Sequence, residues 1–121
     1  MKAIFALFLL MALSSCATVE RRNSSQLVGD WRYSDAAQSC HYSFRSDGTF
    51  SGEVTQQRRL VLKFTGRWKI EGSALHYVYL SEAFGRIPAG TIDRDRLLEV
   101  NADSFLIEAA NGDHRRYLRV H

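Results

Sequence analysis

The chain has 121 residues, 45% apolar, 12% aromatic and 24% charged, with a net charge of +3, two cysteines and one proline. That length suits one domain with a real core and not two. So small a positive excess lacks the signature of a nucleic-acid binder, and two cysteines are too few for a disulfide scaffold.

Lys2 precedes an apolar run from Ala3 to Leu13. A helix crossing the bilayer core needs about 20 apolar residues. The run is too short for that, but it has the length of the apolar region of a signal peptide. It ends in Leu13-Ser14-Ser15-Cys16, and the whole segment resembles a bacterial lipoprotein signal peptide with its lipobox. The resemblance implies that residues 1–15 are cleaved off. Cys16 then begins the mature protein, with a diacylglyceryl thioether on its sulfur and an acyl chain on its amine. The alternative is ordinary secretion with cleavage after Ala17. One acyl chain anchors only marginally, at about 0.8 kcal/mol per buried methylene, whereas two or three hold a protein firmly. Ala17 stands where an Asp tends to retain Gram-negative lipoproteins at the inner membrane. The resemblance therefore implies the outer membrane, facing the periplasm, or the outside of the plasma membrane in a Gram-positive source. The first expected partner is a membrane, reached through Cys16. Cys40 is left without an intrachain partner and reads as a small buried apolar residue.

Residues 16–26 comprise Cys16 and a polar stretch without periodicity, which reads as a tether. Its ten residues after Cys16 reach at most about 35 Å. From Leu27 to His121 the dominant period is two, the strand period. The clearest case is Leu60–Glu71: Leu60, Leu62, Phe64, Gly66, Trp68 and Ile70 share one face, and charged or polar side chains dominate the other. Trp31 and Tyr33 share a face, as do Cys40, Tyr42 and Phe44. The same holds for Phe50, Gly52 and Val54, for Leu75, Tyr77 and Tyr79, and for Phe105 and Ile107. Eight strands are predicted, at 27–33, 39–46, 49–57, 60–71, 74–81, 90–100, 104–110 and 113–120. No stretch shows a helical period. Asp47-Gly48 and Asn111-Gly112 suit type I′ hairpin turns. Pro88 lies in a longer loop, 82–90, and Arg94-Asp95-Arg96 interrupts the alternation of the sixth strand, which predicts a bulge or bend there.

One-sided strands must cover a core, and sequential hairpins leave sheet edges exposed unless the sheet closes. The expected fold is all-β, a small eight-stranded antiparallel up-and-down barrel, with a β-sandwich as the alternative. Gly29-Asp30-Trp31, then Phe44-Arg45-Ser46-Asp47-Gly48-Thr49-Phe50, resemble the opening of bacterial lipocalin-like domains. Asn111-Gly112 followed by Tyr117-Leu118-Arg119-Val120 resembles their last strand. The resemblance implies a barrel-closing signature of Gly29, Trp31 and Arg119, with the guanidinium over the indole. Such a cation–π contact contributes about 0.5–2 kcal/mol. The side chains of an eight-stranded barrel can fill its interior, and seven Phe, five Tyr and two Trp suit a filled one.

His41, His76, His114 and His121 lack metal-ligand spacing, and neither metal nor cofactor is expected. No Ser-His-Asp order, carboxylate pair or phosphate loop appears, so the chain does not read as an enzyme. Asp93, Arg94, Asp95 and Arg96 suit a surface charge network or a partner protein. Arg21-Arg22, Arg58-Arg59 and Arg115-Arg116 read as solvated faces, the first also as a contact for lipid phosphates. Tyr42, Tyr77 and Tyr79 would place hydroxyls at the rim of an apolar pocket in the barrel mouth. The leading expectation is a lipid-anchored envelope protein binding a small apolar or lipid ligand there. The alternative is a protein-interaction module with a filled barrel, an envelope assembly factor or an inhibitor of a lytic enzyme, acting through loops such as 82–90.

Overall fold

The structure, a computed structural model, describes residues 19–121; Cys16 and residues 1–15, expected to form a signal peptide, lie outside the described residues. Eight strands follow in chain order: β1 (Gly29–Ser34), β2 (Ser39–Phe44), β3 (Thr49–Gln56), β4 (Arg59–Glu71), β5 (Ala74–Glu82), β6 (Ile92–Val100), β7 (Ser104–Glu108) and β8 (His114–Arg119). Each pairs antiparallel with the next, and β8 returns to β1 through Trp31 opposite Arg119 and Arg32 opposite Leu118. The sheet is therefore a closed barrel, not a sandwich. Closure leaves no strand as a free outer edge over its whole length, although residues 92–95 of β6, for example, stay unpaired on one side.

Alternating side chains fill the interior. Leu27, Trp31, Phe44, Phe50, Leu75 and Phe105 are each at most 2% exposed. Their rings interlock: Trp31 meets Phe105 edge-on at 4.8 Å, and Phe44 meets Trp68 edge-on at 5.3 Å between centroids. Edge-on contacts of this kind suit the ring quadrupoles and add to simple burial. Two glycines make room for them. A Cβ on Gly52 would enter the rings of Phe64 and Tyr42, and one on Gly66 would strike the Val78 carbonyl and the Phe50 ring.

Several features depart from the sequence reading. Residues 19–27 form a helix where a polar tether was expected. Local propensity does not hold it; tertiary contacts do. Leu27 is fully buried, and the Glu20 carboxylate accepts the Gly72 N–H at 2.8 Å. The bulge of β6 falls between Leu97 and Glu99, past Arg94-Asp95-Arg96, whose pairing with β5 is regular. Leu60 is 40% exposed, because a register shift beside Val54 and Thr55 breaks the alternation at the start of β4. Val61 and Leu62 both pack against the core there. Neither Asp47 nor Asn111 has positive φ, so neither turn is type I′; Gly48 (φ 86°) and Gly112 (φ 89°) alone take the left-handed conformation. The two-residue turn with positive φ at both positions is Gln57-Arg58 (φ 50° and 64°). The twist of the β3–β4 hairpin demands that geometry of residues that resist it.

Candidate functional site

The two ends of the barrel differ in kind. At one end the helix 19–27 and the turns after β2, β4 and β6 meet the start of β1 and the end of β8. The Trp31 Nε1–H donates to the Leu27 carbonyl at 2.8 Å. The Arg119 guanidinium lies 4.2 Å from the centre of the Trp31 ring. It donates to the carbonyls of Val28, Gln26 and Ala102. Gly29 has φ 137° and faces this guanidinium, which occupies the space a Cβ would need. Gly29, Trp31 and Arg119 are thus in mutual contact at the closed end.

At the opposite end the aromatic filling stops short. A cavity of about 270 Å³ remains, lined by Tyr42, Tyr77, Tyr79, Tyr117, Asp93, Asp95 and Arg115, with Ala109, Ala110 and Asn111 at the rim. The period-two geometry explains the set. Tyr77 and Tyr79 follow Leu75 on the inner face of β5, and Arg115 precedes Tyr117 on that of β8. Counting back by two from the buried Leu97 puts Asp95 and Asp93 on the inner side of β6. Tyr42 packs against Tyr117 at 5.4 Å and Phe64 at 5.7 Å.

Burial shifts the titration of these groups. Desolvation pushes the hydroxyls of Tyr42, Tyr77, Tyr79 and Tyr117 upward, so all four stay neutral and protonated. Desolvation, reinforced by the neighbouring Asp93 carboxylate, raises Asp95 to about 6, with the Tyr77 hydroxyl acting in the other direction. Arg115 forms no ion pair with either aspartate among the described residues; its guanidinium lies 5.8 Å from the Tyr33 ring. Burial raises the Cys40 thiol above its ordinary value, which leaves it an unreactive wall residue.

The wall beside this cavity is incomplete. Residues 92–95 of β6 pair with β5 only, and β7 joins β6 from Arg96 onward. A cleft of about 570 Å³ follows the gap and shares Asp93, Asp95, Ala109 and Ala110 with the mouth cavity. On the unpaired side of β6 the Arg94 N–H donates to the Asp93 carboxylate at 2.8 Å. The neighbouring loop is held by Glu82, whose carboxylate accepts the Phe84 and Arg86 N–H groups at 2.8 Å each. Phe84 is 51% exposed and Ile92 is 70% exposed at this rim.

Tyr42, Tyr77 and Tyr79 do come together, but their surroundings are polar where an apolar pocket was expected. Sequence reasoning missed Asp93, Asp95, Arg115 and Tyr117. The inward count from Leu97 and from Tyr117 was the available signal, and the assumed bend at Arg94-Asp95-Arg96 concealed it. The Arg115-Arg116 doublet splits as a strand must: Arg115 lines the cavity, while Arg116 bonds Ser104 and lies 3.4 Å from Glu99 outside. His114 contacts Glu108 at 3.0 Å, His76 lies 3.8 Å from Glu71, and His121 lies 3.9 Å from Asp103. Among the described residues no three His, Cys, Asp or Glu side chains converge as a metal site would require.

No protein-family model matches the chain, and no curated protein does. Among solved structures, a lipocalin-like protein from Bacteroides uniformis is similar, with a TM-score of 0.58 and 18% identity. The match covers 78% of this chain and 99% of that one. At that identity the likeness concerns the fold alone: the chain is an eight-stranded closed β-barrel of lipocalin-like architecture.

Proposed function

We propose that this chain is a lipid-anchored envelope protein that binds a small ligand in the mouth of its barrel. The observation carrying the reading is the unfilled cavity above an otherwise filled aromatic core. A concave space with convergent polar groups and a perturbed carboxylate is the usual composition of a ligand site. Its size, equal to about nine waters at ~30 Å³ each, suits a small molecule better than a whole acyl chain. The carboxylates favour a polar group on the ligand, with the tyrosine rings covering its apolar part. The role is binding, not catalysis, and nucleic acid has no part in it.

The anchor is proposed at Cys16, with the protein at the outer membrane facing the periplasm. Val19 already belongs to the helix packed on the closed end. Three extended residues span at most about 11 Å, so a lipidated Cys16 would hold that end against the membrane. The mouth would then face the aqueous compartment. Two measurements test the reading. Labelled fatty acid should enter the wild-type protein in its native host and not Cys16→Ser, which should leave the membrane fraction. Native mass spectrometry of the full chain should show a bound small mass; a bare mass after mild extraction, with no uptake of offered metabolites, would remove the ligand role.

A second reading, the protein-interaction module, is favoured by exposed Phe84 and Ile92 beside the unpaired side of β6. Crosslinking from position 84 in intact envelopes tests it: a single reproducible protein adduct supports it, and its absence counts against it.

A further inference from the structure

We propose that the mouth cavity recognises an organic cation, a small amine or quaternary ammonium held between tyrosine rings and the Asp93–Asp95 carboxylate pair. This rests on the reading of the cavity as a ligand site and names the class of its occupant.

The lining carries two carboxylates and one guanidinium. Neither aspartate is in an ion pair among the described residues, although other exposed carboxylates, such as Glu71 with Lys69 at 3.1 Å, are. Two like charges two positions apart on the inner face of one strand repel each other, and a cation between them removes that cost. Arg115 offsets it only weakly: it forms no ion pair with either aspartate among the described residues, is the smallest of the influences on Asp95, and is directed toward the Tyr33 ring and Tyr117. Four tyrosines supply ring faces, and the ring quadrupole attracts a desolvated cation placed over such a face. Independently of the acidic pair, Tyr79 is only 9% exposed, lines the cavity, and has a hydroxyl with no hydrogen-bond partner among the described residues. No buried side-chain N or O atom among the described residues lacks a partner, so this hydroxyl opens onto the cavity, where a ligand N–H can lie between it and the carboxylates. An anion would have Arg115 alone and would face both aspartates.

The groups around Asp95 are Asp93 on its own strand, Tyr77 and Tyr79 on β5, Arg115 and Tyr117 on β8, Tyr42 on β2 and Asn111 in the β7–β8 turn. Of these, Asp95 alone carries a value near neutrality, about 6. Cation binding requires its ionised form, so affinity rises with pH through that region.

The test uses the full chain in a maltoside detergent and three probes of one shape: benzylamine, benzyl alcohol and benzoate. Titration calorimetry at pH 7.5 should rank benzylamine above benzyl alcohol by about tenfold or more, with benzoate weakest. Asp93→Asn with Asp95→Asn should abolish the preference for the amine, while the thermal melting transition shows that the variant remains folded. Tyr79→Phe should weaken benzylamine a few-fold and leave the charge ranking intact. Tightest binding of benzoate would overturn the cation class and make Arg115 the anchor. Equal binding of all three would overturn it in favour of an uncharged ligand. No binding of any probe, with folded protein, would overturn the ligand-cavity reading itself.

Discussion

The closed end and the mouth of this barrel are built from the same strands by opposite rules. At the closed end Trp31 is fully buried, its ring N–H is satisfied by Leu27, and Arg119 ties the helix, β1 and the β6–β7 turn together. At the mouth, inward positions hold tyrosines, aspartates and an arginine, and space is left between them. The closed end is satisfied by its own residues. The mouth retains the Tyr79 hydroxyl facing the cavity and two carboxylates outside any ion pair among the described residues, a distribution expected where a binding site is assembled on a stable frame. Stability should therefore concentrate at one end and sensitivity to pH and ligand at the other.

The largest effect that could break this contrast is Trp31→Ala. It removes a fully buried indole and should destabilise the fold by about 3–5 kcal/mol, measured by urea unfolding. A loss below 1 kcal/mol would mean that the closed end is not the stability centre. Arg119→Ala deletes three bonds to carbonyls and the contact with Trp31, with an expected cost of about 2–4 kcal/mol. Arg119→Lys should restore only a fraction, because a point charge cannot reach three carbonyls at once.

Asp95→Asn sharpens the contrast through pH. Folding raises the Asp95 pKa from the ordinary 3.8 to about 6, so the folded protein holds this proton more tightly than the unfolded chain. The associated stabilisation is full below pH 3.8 and is lost as pH rises through 6. Asp95→Asn should therefore melt higher than wild type at pH 8, and the gap should narrow toward pH 4. An unchanged gap would show that Asp95 is solvated. Replacing Gln57-Arg58 by Asn-Gly relieves two left-handed residues and should stabilise by about 1–2 kcal/mol, read from the urea midpoint. This turn lies at the mouth end, so the gain shows that the open end tolerates improvement away from the cavity. Tyr79→Phe should be the smallest change, within about 0.5 kcal/mol, since its hydroxyl has no partner to lose.

Much of this arrangement was legible from residue order. The strand spans agree with expectation to within two residues at every end, because one-sided burial writes a period of two directly into β3, β4 and β5. Tyr42, Tyr77 and Tyr79 fall on the apolar face on that ground alone, and Trp31 on that ground together with the lipocalin-like resemblance. The helix 19–27 was not legible: its residues show no apolar stripe, and it is held by the burial of its own Leu27 and by the contacts of Glu20 with Gly72 and of Gln26 with Arg119. The β3–β4 turn gave no signal either, since Gln57 and Arg58 are not residues that seek positive φ.

The sequence by itself determined which residues form strands, where the hairpins turn and most of the apolar side chains that face inward, because these follow from alternation between near neighbours. Only the tertiary structure decided that β8 closes on β1, that the helix caps one end, and that Asp93 and Asp95 look into a space of about 270 Å³. That space is a small remainder after large side-chain volumes from different strands have been packed together. A difference of that kind depends on residues far apart in the chain and leaves no local trace in their order.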